Sequence, residues 1–127
     1  MIDVLMKASL RPGLTHQLTE RVSAELSPPH LLPLIVLSTP SMILLMEMAS
    51  LYAAQPHLDE NETTVGTHVD VSHGAAAREG ETVIVDSELV AMDRRRLTFA
   101  VRVSVGDRII GEGTHQRAVI DKKGFGP

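Results

Sequence analysis

Thr39, Glu47 and His73 put a hydroxyl, a carboxylate and an imidazole into one stretch of this chain. An imidazole takes up a proton near neutrality, a carboxylate orients it or acts as the base itself, and a hydroxyl attacks or holds a water. Together they suit attack on an acyl carbon. Glu47 is the most telling of the three because it interrupts the most apolar stretch, Leu31 to Ala54. Burying an ionised acid without partners costs on the order of several kcal/mol, so Glu47 must be paired, protonated or facing a cleft.

Each residue also has a plainer reading. Thr39 precedes Pro40, so its hydroxyl serves as a helix N-cap, while the positive end of that helix favours a developing oxyanion or carboxylate. Glu47, eight residues further on, comes round to about 80° from Thr39 on a helix, so that both line one cleft; the plainer reading is a structural pair with an arginine. His73 ends a core-facing row beside Gly74-Ala75-Ala76-Ala77, small residues that let a ligand approach, and is otherwise a satisfied structural histidine. Spacing alone does not bring the three together.

Other patterns carry less. His68, Asp70 and His73 resemble a metal motif, but a regular strand points 68 and 70 away from 73, so no metal is expected. Arg94-Arg95-Arg96 reads as a solvated turn, and equally as a cluster suited to the phosphates of a carrier such as coenzyme A. Gly111-x-Gly113 lacks the setting of a dinucleotide loop and fits strand curvature.

The elements that must position these residues follow from periodicity. Residues 14 to 22 alternate as a strand, which Ser27-Pro28-Pro29 ends, and an apolar connection runs to Leu37 and needs a cover. The helix spans Pro40 to about Ala54 and is apolar on nearly every side, so it is wrapped by other structure. Asp59-Glu60-Asn61-Glu62 reads as a solvated loop. From Thr63 the pattern is strand, with Val65, Thr67, Val69, Val71 and His73 on the core face and Gly66, His68, Asp70 and Ser72 opposite. Thr82 to Met92, Leu97 to Val105 and Arg108 to Ile120 follow as strands, the last pair joined at Gly106-Asp107. Residues 121 to 127 read as a frayed tail. The order predicts an α+β hotdog fold, an antiparallel sheet wrapped around one long central helix. Its open sheet edge predicts edge-to-edge dimerisation.

Composition narrows the classes. With 127 residues, 43% of them hydrophobic, the chain fits one domain, with a core over about 13 to 120. A net charge of −4 and 2% aromatic residues speak against nucleic acid. The absence of cysteine excludes disulfides and thiolate chemistry and fits a cytoplasmic setting. Met1 to Lys7 carries an acid at Asp3 and neither a basic segment nor a long apolar one, so no secretory signal is expected. Prolines and polar residues break Leu31 to Met46 below the roughly 20 residues of a membrane span.

From Gly13 to Ile120 the chain resembles the fluoroacetyl-CoA thioesterase-like family of hotdog proteins. The most specific motifs are Ser38-Thr39, Leu45-Met46-Glu47, Val65-Gly66-Thr67, Val71-Ser72-His73 and the run Gly113-Thr114-His115-Gln116-Arg117-Ala118-Val119-Ile120. The resemblance implies that Thr39, Glu47 and His73 form the catalytic set, that Gly66 meets the substrate carbonyl, and that Arg117 is the strand arginine near the site. It implies hydrolysis of a short or medium acyl-CoA, fluoroacetyl-CoA included, without cofactor, in a site shared by a homodimer, with pairing into tetramers left open. The segment Pro28 to Leu37 departs from the pattern: it holds no aromatic residue where the fluoroacetate-specific enzyme bears phenylalanine. A non-catalytic protein that binds acyl-CoA or another small ligand is the alternative reading.

Overall fold

The structure is a computed structural model and describes residues 6–124; the last three residues, and most of the segment read for a secretory signal, lie outside the described residues. Strand β1, Thr15–Arg21, leads through two short 3₁₀ turns into helix α1, Thr39–Ala54. Four strands follow: β2, Glu62–His73; β3, Thr82–Asp93; β4, Arg96–Val105; and β5, Arg108–Asp121. Short turns join the last three, as their alternating patterns and the positive-φ Arg94 and Gly106 require. The five strands form one antiparallel sheet in the order β1-β3-β4-β5-β2, so β1 and β2 are its edges.

The sheet's inner face carries Val83, Val85, Leu89, Leu97, Phe99 and Val103, all with no exposure, and α1 lays Met42, Met46 and Ala49 onto it. This is the hotdog architecture. Deleting such a side chain costs about 3–5 kcal/mol for phenylalanine, which sets the rigidity of the platform beneath the helix. The wrap is incomplete within one chain. Leu44 and Tyr52 on α1 are 55% and 44% exposed, and the apolar connection leaves Leu32 and Leu34 at 50% and 59%.

Four expectations need correction. Ser38, not Thr39, caps α1: its Oγ accepts from the Ser41 N–H at 3.1 Å, and Pro40 follows Thr39 inside the first turn. Glu62 is not in a solvated loop but opens β2, 3% exposed, with Oε1 accepting from the Asp59 N–H at 2.8 Å. Residues 121–124 make a hydrogen-bonded turn, in which the Lys122 N–H reaches Asn61 O at 2.8 Å, rather than a frayed end. Finally, the faces of β2 switch midway. Its register against β5 shifts between Gly66 and His68, a β-bulge at Thr67. Glu62, Thr64 and Gly66 therefore face the helix on one side of the bulge, and Val69, Val71 and His73 on the other. Without the bulge, Gly66 and His73 would lie on opposite faces of the sheet.

Candidate active site

Because Ser38 satisfies the helix end, the Thr39 hydroxyl is free for another partner. It lies 2.8 Å from His73 Nδ1, a hydrogen bond between the start of α1 and the end of β2. With Nδ1 unprotonated, Thr39 donates and the imidazole is a base for its hydroxyl; with Nδ1 protonated, His73 donates and Nε2 is the free base. The pair borders a hollow of about 310 Å³ whose walls include Val36, Leu37, Ala75 and Ala76. Small apolar walls beside an imidazole suit a short aliphatic group next to a polar reacting atom.

Two turns along α1, Glu47 faces Arg117 of β5, with Oε2 3.6 Å from Nη1. The arginine is anchored from several sides. Its Nε donates to Thr64 Oγ1 at 2.7 Å, its Nη2 to Thr64 O at 3.0 Å, and its Nη1 lies 3.1 Å from His115 Nε2. Burial, the largest influence, lowers the Arg117 pKa, and the Glu47 charge opposes that; the guanidinium stays charged all the same. Its side chain is 7% exposed and that of Glu47 is 35%, so the acid is the solvent-facing end of a fixed pair. Gly66 lies against this group: a Cβ there would come 2.7 Å from Glu47 Oε2 and 3.2 Å from His115 Cε1. The glycine leaves the space over the carboxylate open.

Within one chain these are two groups rather than one. Thr39 and Glu47, eight residues apart, are separated by about 12 Å along the helix axis, so the single cleft expected from their angular offset does not form in the isolated subunit. Both groups lie on the helix side of the sheet and both border β2, the open edge. His68 and Asp70 point to the outer face, away from His73, and among the described residues no three of His, Asp and Glu are gathered to hold a metal. Arg94, Arg95 and Arg96 wall a separate hollow of about 400 Å³ with Ala118 and Ile120, at the sheet end that holds the start of β2. Gly111 and Gly113 sit where side chains would collide, with Met42 Sδ at 2.5 Å for the first and with the β2 backbone at Asp70 for the second.

A profile of the family described as FlK, fluoroacetyl-CoA-specific thioesterase, matches residues 18–123. The chain belongs to this family. The fluoroacetyl-CoA thioesterase of Streptantibioticus cattleyicolor is 42% identical over 90 residues, 71% of this chain and 65% of that protein, so the chain spans just under two thirds of that relative's length. The solved structure of the fluoroacetyl-CoA thioesterase FlK superposes with a TM-score of 0.82 at 36% identity, covering 89% of this chain and 90% of that one. A point mutant of FlK in complex with fluoroacetate and CoA gives 0.83 at 35%, covering 91% and 99%. A Thermus thermophilus protein of the thioesterase superfamily, 23% identical with a TM-score of 0.81 over 90% and 86% of the two chains, shares the fold.

As a member of the fluoroacetyl-CoA-specific thioesterase family, the chain keeps all five residues singled out in the sequence on the helix side of its sheet. Thr39 meets His73; Glu47, Gly66 and Arg117 meet one another. Sequence reasoning gave no part to His115 or Thr64, which hold the arginine. Period two along β5 was the available signal, since His115 shares the face of Arg117.

Proposed function

We propose that this protein is an acyl-CoA thioesterase that hydrolyses a short or medium acyl-CoA to the free acid and CoA. The observation that carries the reading is the 2.8 Å hydrogen bond between Thr39 and His73, a hydroxyl–imidazole pair beside a small apolar hollow. His73 accepts the proton of the attacking oxygen, which belongs either to Thr39 or to a water held by it, and returns a proton to the departing CoA sulfur. Glu47, held by Arg117, acts at the carbonyl across the space left open by Gly66. An acyl group of a few carbons suits the hollow between Val36 and Ala76. The basic turn Arg94 to Arg96 suits the phosphates of CoA. The absence of cysteine supports a cytoplasmic setting, and no helix of the described residues is long and apolar enough to cross a membrane.

The site is completed by a second copy of the chain. β2 is a free edge, and Gly66 to Asp70 along it are exposed, including Val69, which faces the helix side and is 39% exposed. Antiparallel pairing of two β2 edges about a two-fold axis through Asp70 sets Val69 opposite the partner's Val71. Counting the bulge as one step, it sets Gly66 opposite the partner's His73. Glu47 and Arg117 of one subunit then meet the hydroxyl–imidazole pair of the other. The same pairing closes an edge that otherwise invites aggregation.

The test is release of free thiol from a panel of acyl-CoAs of increasing chain length, fluoroacetyl-CoA among them. Turnover of short or medium chains that is lost in His73→Ala supports the reading. Folded protein that binds acyl-CoA and releases no thiol overturns it in favour of a binding protein.

A further inference from the structure

His115 is buried to 1% exposure in the middle of β5, and the proposed reaction does not use it. Its two ring nitrogens have different partners. Nδ1 lies 2.8 Å from the backbone oxygen of His68, which only accepts, so Nδ1 carries the proton. Nε2 is then a bare acceptor, and it lies 3.1 Å from Nη1 of Arg117, which only donates. The same Nη1 faces Glu47 Oε2 at 3.6 Å. One imidazole thus ties the strand beside the bulge to the nitrogen that fixes the acid.

We infer that His115 is a positioning residue: as a neutral Nε2 acceptor it fixes the Arg117 guanidinium so that Nη1 presents Glu47 to the reacting carbonyl. Thr64 holds Nε and Nη2 from one side, and because the guanidinium is a rigid plane the His115 acceptor at Nη1 adds a third point, from β5, that stops the plane from tilting away from Glu47. A protonated His115 would turn an N–H toward an N–H and release Nη1. Its surroundings favour the neutral form. Burial is the largest influence lowering its pKa, the charge of Arg117 lowers it further, and the His68 carbonyl and Glu47 oppose them.

The kinetic arm of the test rests on the proposed hydrolysis, and a second arm does not. His115→Gln keeps an acceptor near Nε2, whereas His115→Asn keeps the donor to His68 and removes that acceptor. With a short acyl-CoA, the glutamine variant keeps kcat within about threefold of wild type, while the asparagine variant loses about tenfold or more in kcat with KM little changed. Equal losses in the two variants, following equal falls in Tm, overturn the inference. The second arm reads nitrogen-15 resonances in the folded protein without substrate. Wild type showing His115 as the Nδ1-protonated neutral ring, with a slowly exchanging Arg117 guanidinium that becomes fast in His115→Asn and not in His115→Gln, supports it. An Arg117 signal unchanged in His115→Asn overturns it, whether or not the protein hydrolyses acyl-CoA.

Discussion

Replacing Gly66 with alanine adds one methyl group where the structure leaves none. The new Cβ would lie 2.7 Å from Glu47 Oε2, and ordinary contact begins at 3.4 Å, so the carboxylate must retreat by about 0.7 Å. Glu47 is the end of a flexible, 35% exposed side chain and moves cheaply. His115 Cε1, at 3.2 Å, is buried and gives less readily. Gly66 carries no positive φ, so the backbone accepts alanine, and strands favour alanine over glycine by roughly 0.5–1 kcal/mol, against about 1–3 kcal/mol for overpacking. Stability should fall by about 2.5 kcal/mol at most, a Tm loss of under about 10 °C. Activity should suffer more. A carboxylate displaced by most of an ångström, with a methyl group where the carbonyl approaches, predicts a kcat/KM loss of about 10- to 100-fold, or roughly 1.4–2.7 kcal/mol of barrier. Thiol release at saturating and limiting acyl-CoA, with a thermal melt, separates the two effects. A folded Gly66→Ala variant within twofold of the wild-type kcat/KM would refute the placement of the carbonyl over Glu47.

Three further outcomes are expected. Ser38→Ala removes the helix cap and costs about 1 kcal/mol of stability with little effect on turnover, whereas Thr39→Ala leaves the Tm nearly unchanged and lowers kcat at least about tenfold; thermal melts and thiol release on both variants read this, and the reverse pattern would return the cap to Thr39. Because the folded pKa of His115 lies below its ordinary value of 6.5, its stabilising contribution is complete above that pH and is lost as pH falls toward the folded value. Tm measured from pH 8 to 5 should therefore drop more steeply in wild type than in His115→Asn, and parallel slopes would contradict it. Asp70→Asn removes a like-charge pair from the proposed two-fold axis and should tighten the dimer by up to about 1 kcal/mol, read by sedimentation across a dilution series; a weaker dimer would place the axis elsewhere.

The sequence made the hairpins and the helix legible because their signals are local. Leu97 to Val105 alternates without a break, Gly106-Asp107 marks its turn, and Ser38-Thr39-Pro40 announces a helix start. What stayed hidden depends on neighbours distant in the chain. The bulge at Thr67 arises from pairing with β5, so the regular run Val65, Thr67, Val69 put Gly66 on the wrong face. Ser38 and Thr39 both make good caps, and only the packing of β2 against the helix start decides which hydroxyl is left for His73. Glu62 looks solvated in a run of acids and is buried because it turns back to cap the loop at Asp59. Period two along β5 places His115 beside Arg117, but the His68 carbonyl that fixes its tautomer comes from β2, distant in the chain. Even the separation of Thr39 from Glu47 was a matter of axial rise that the angular reading left out.

The most direct test of the central claim, a thioesterase site shared between two subunits, is complementation in a defined heterodimer. His73→Ala and Glu47→Gln homodimers should each release little thiol from an acyl-CoA that the wild type hydrolyses. A purified heterodimer of the two contains one site with both wild-type residues and one with neither, so it should recover about half of the wild-type rate. A heterodimer as inactive as its parents would show that Glu47 and His73 act within one chain, and would contradict the account.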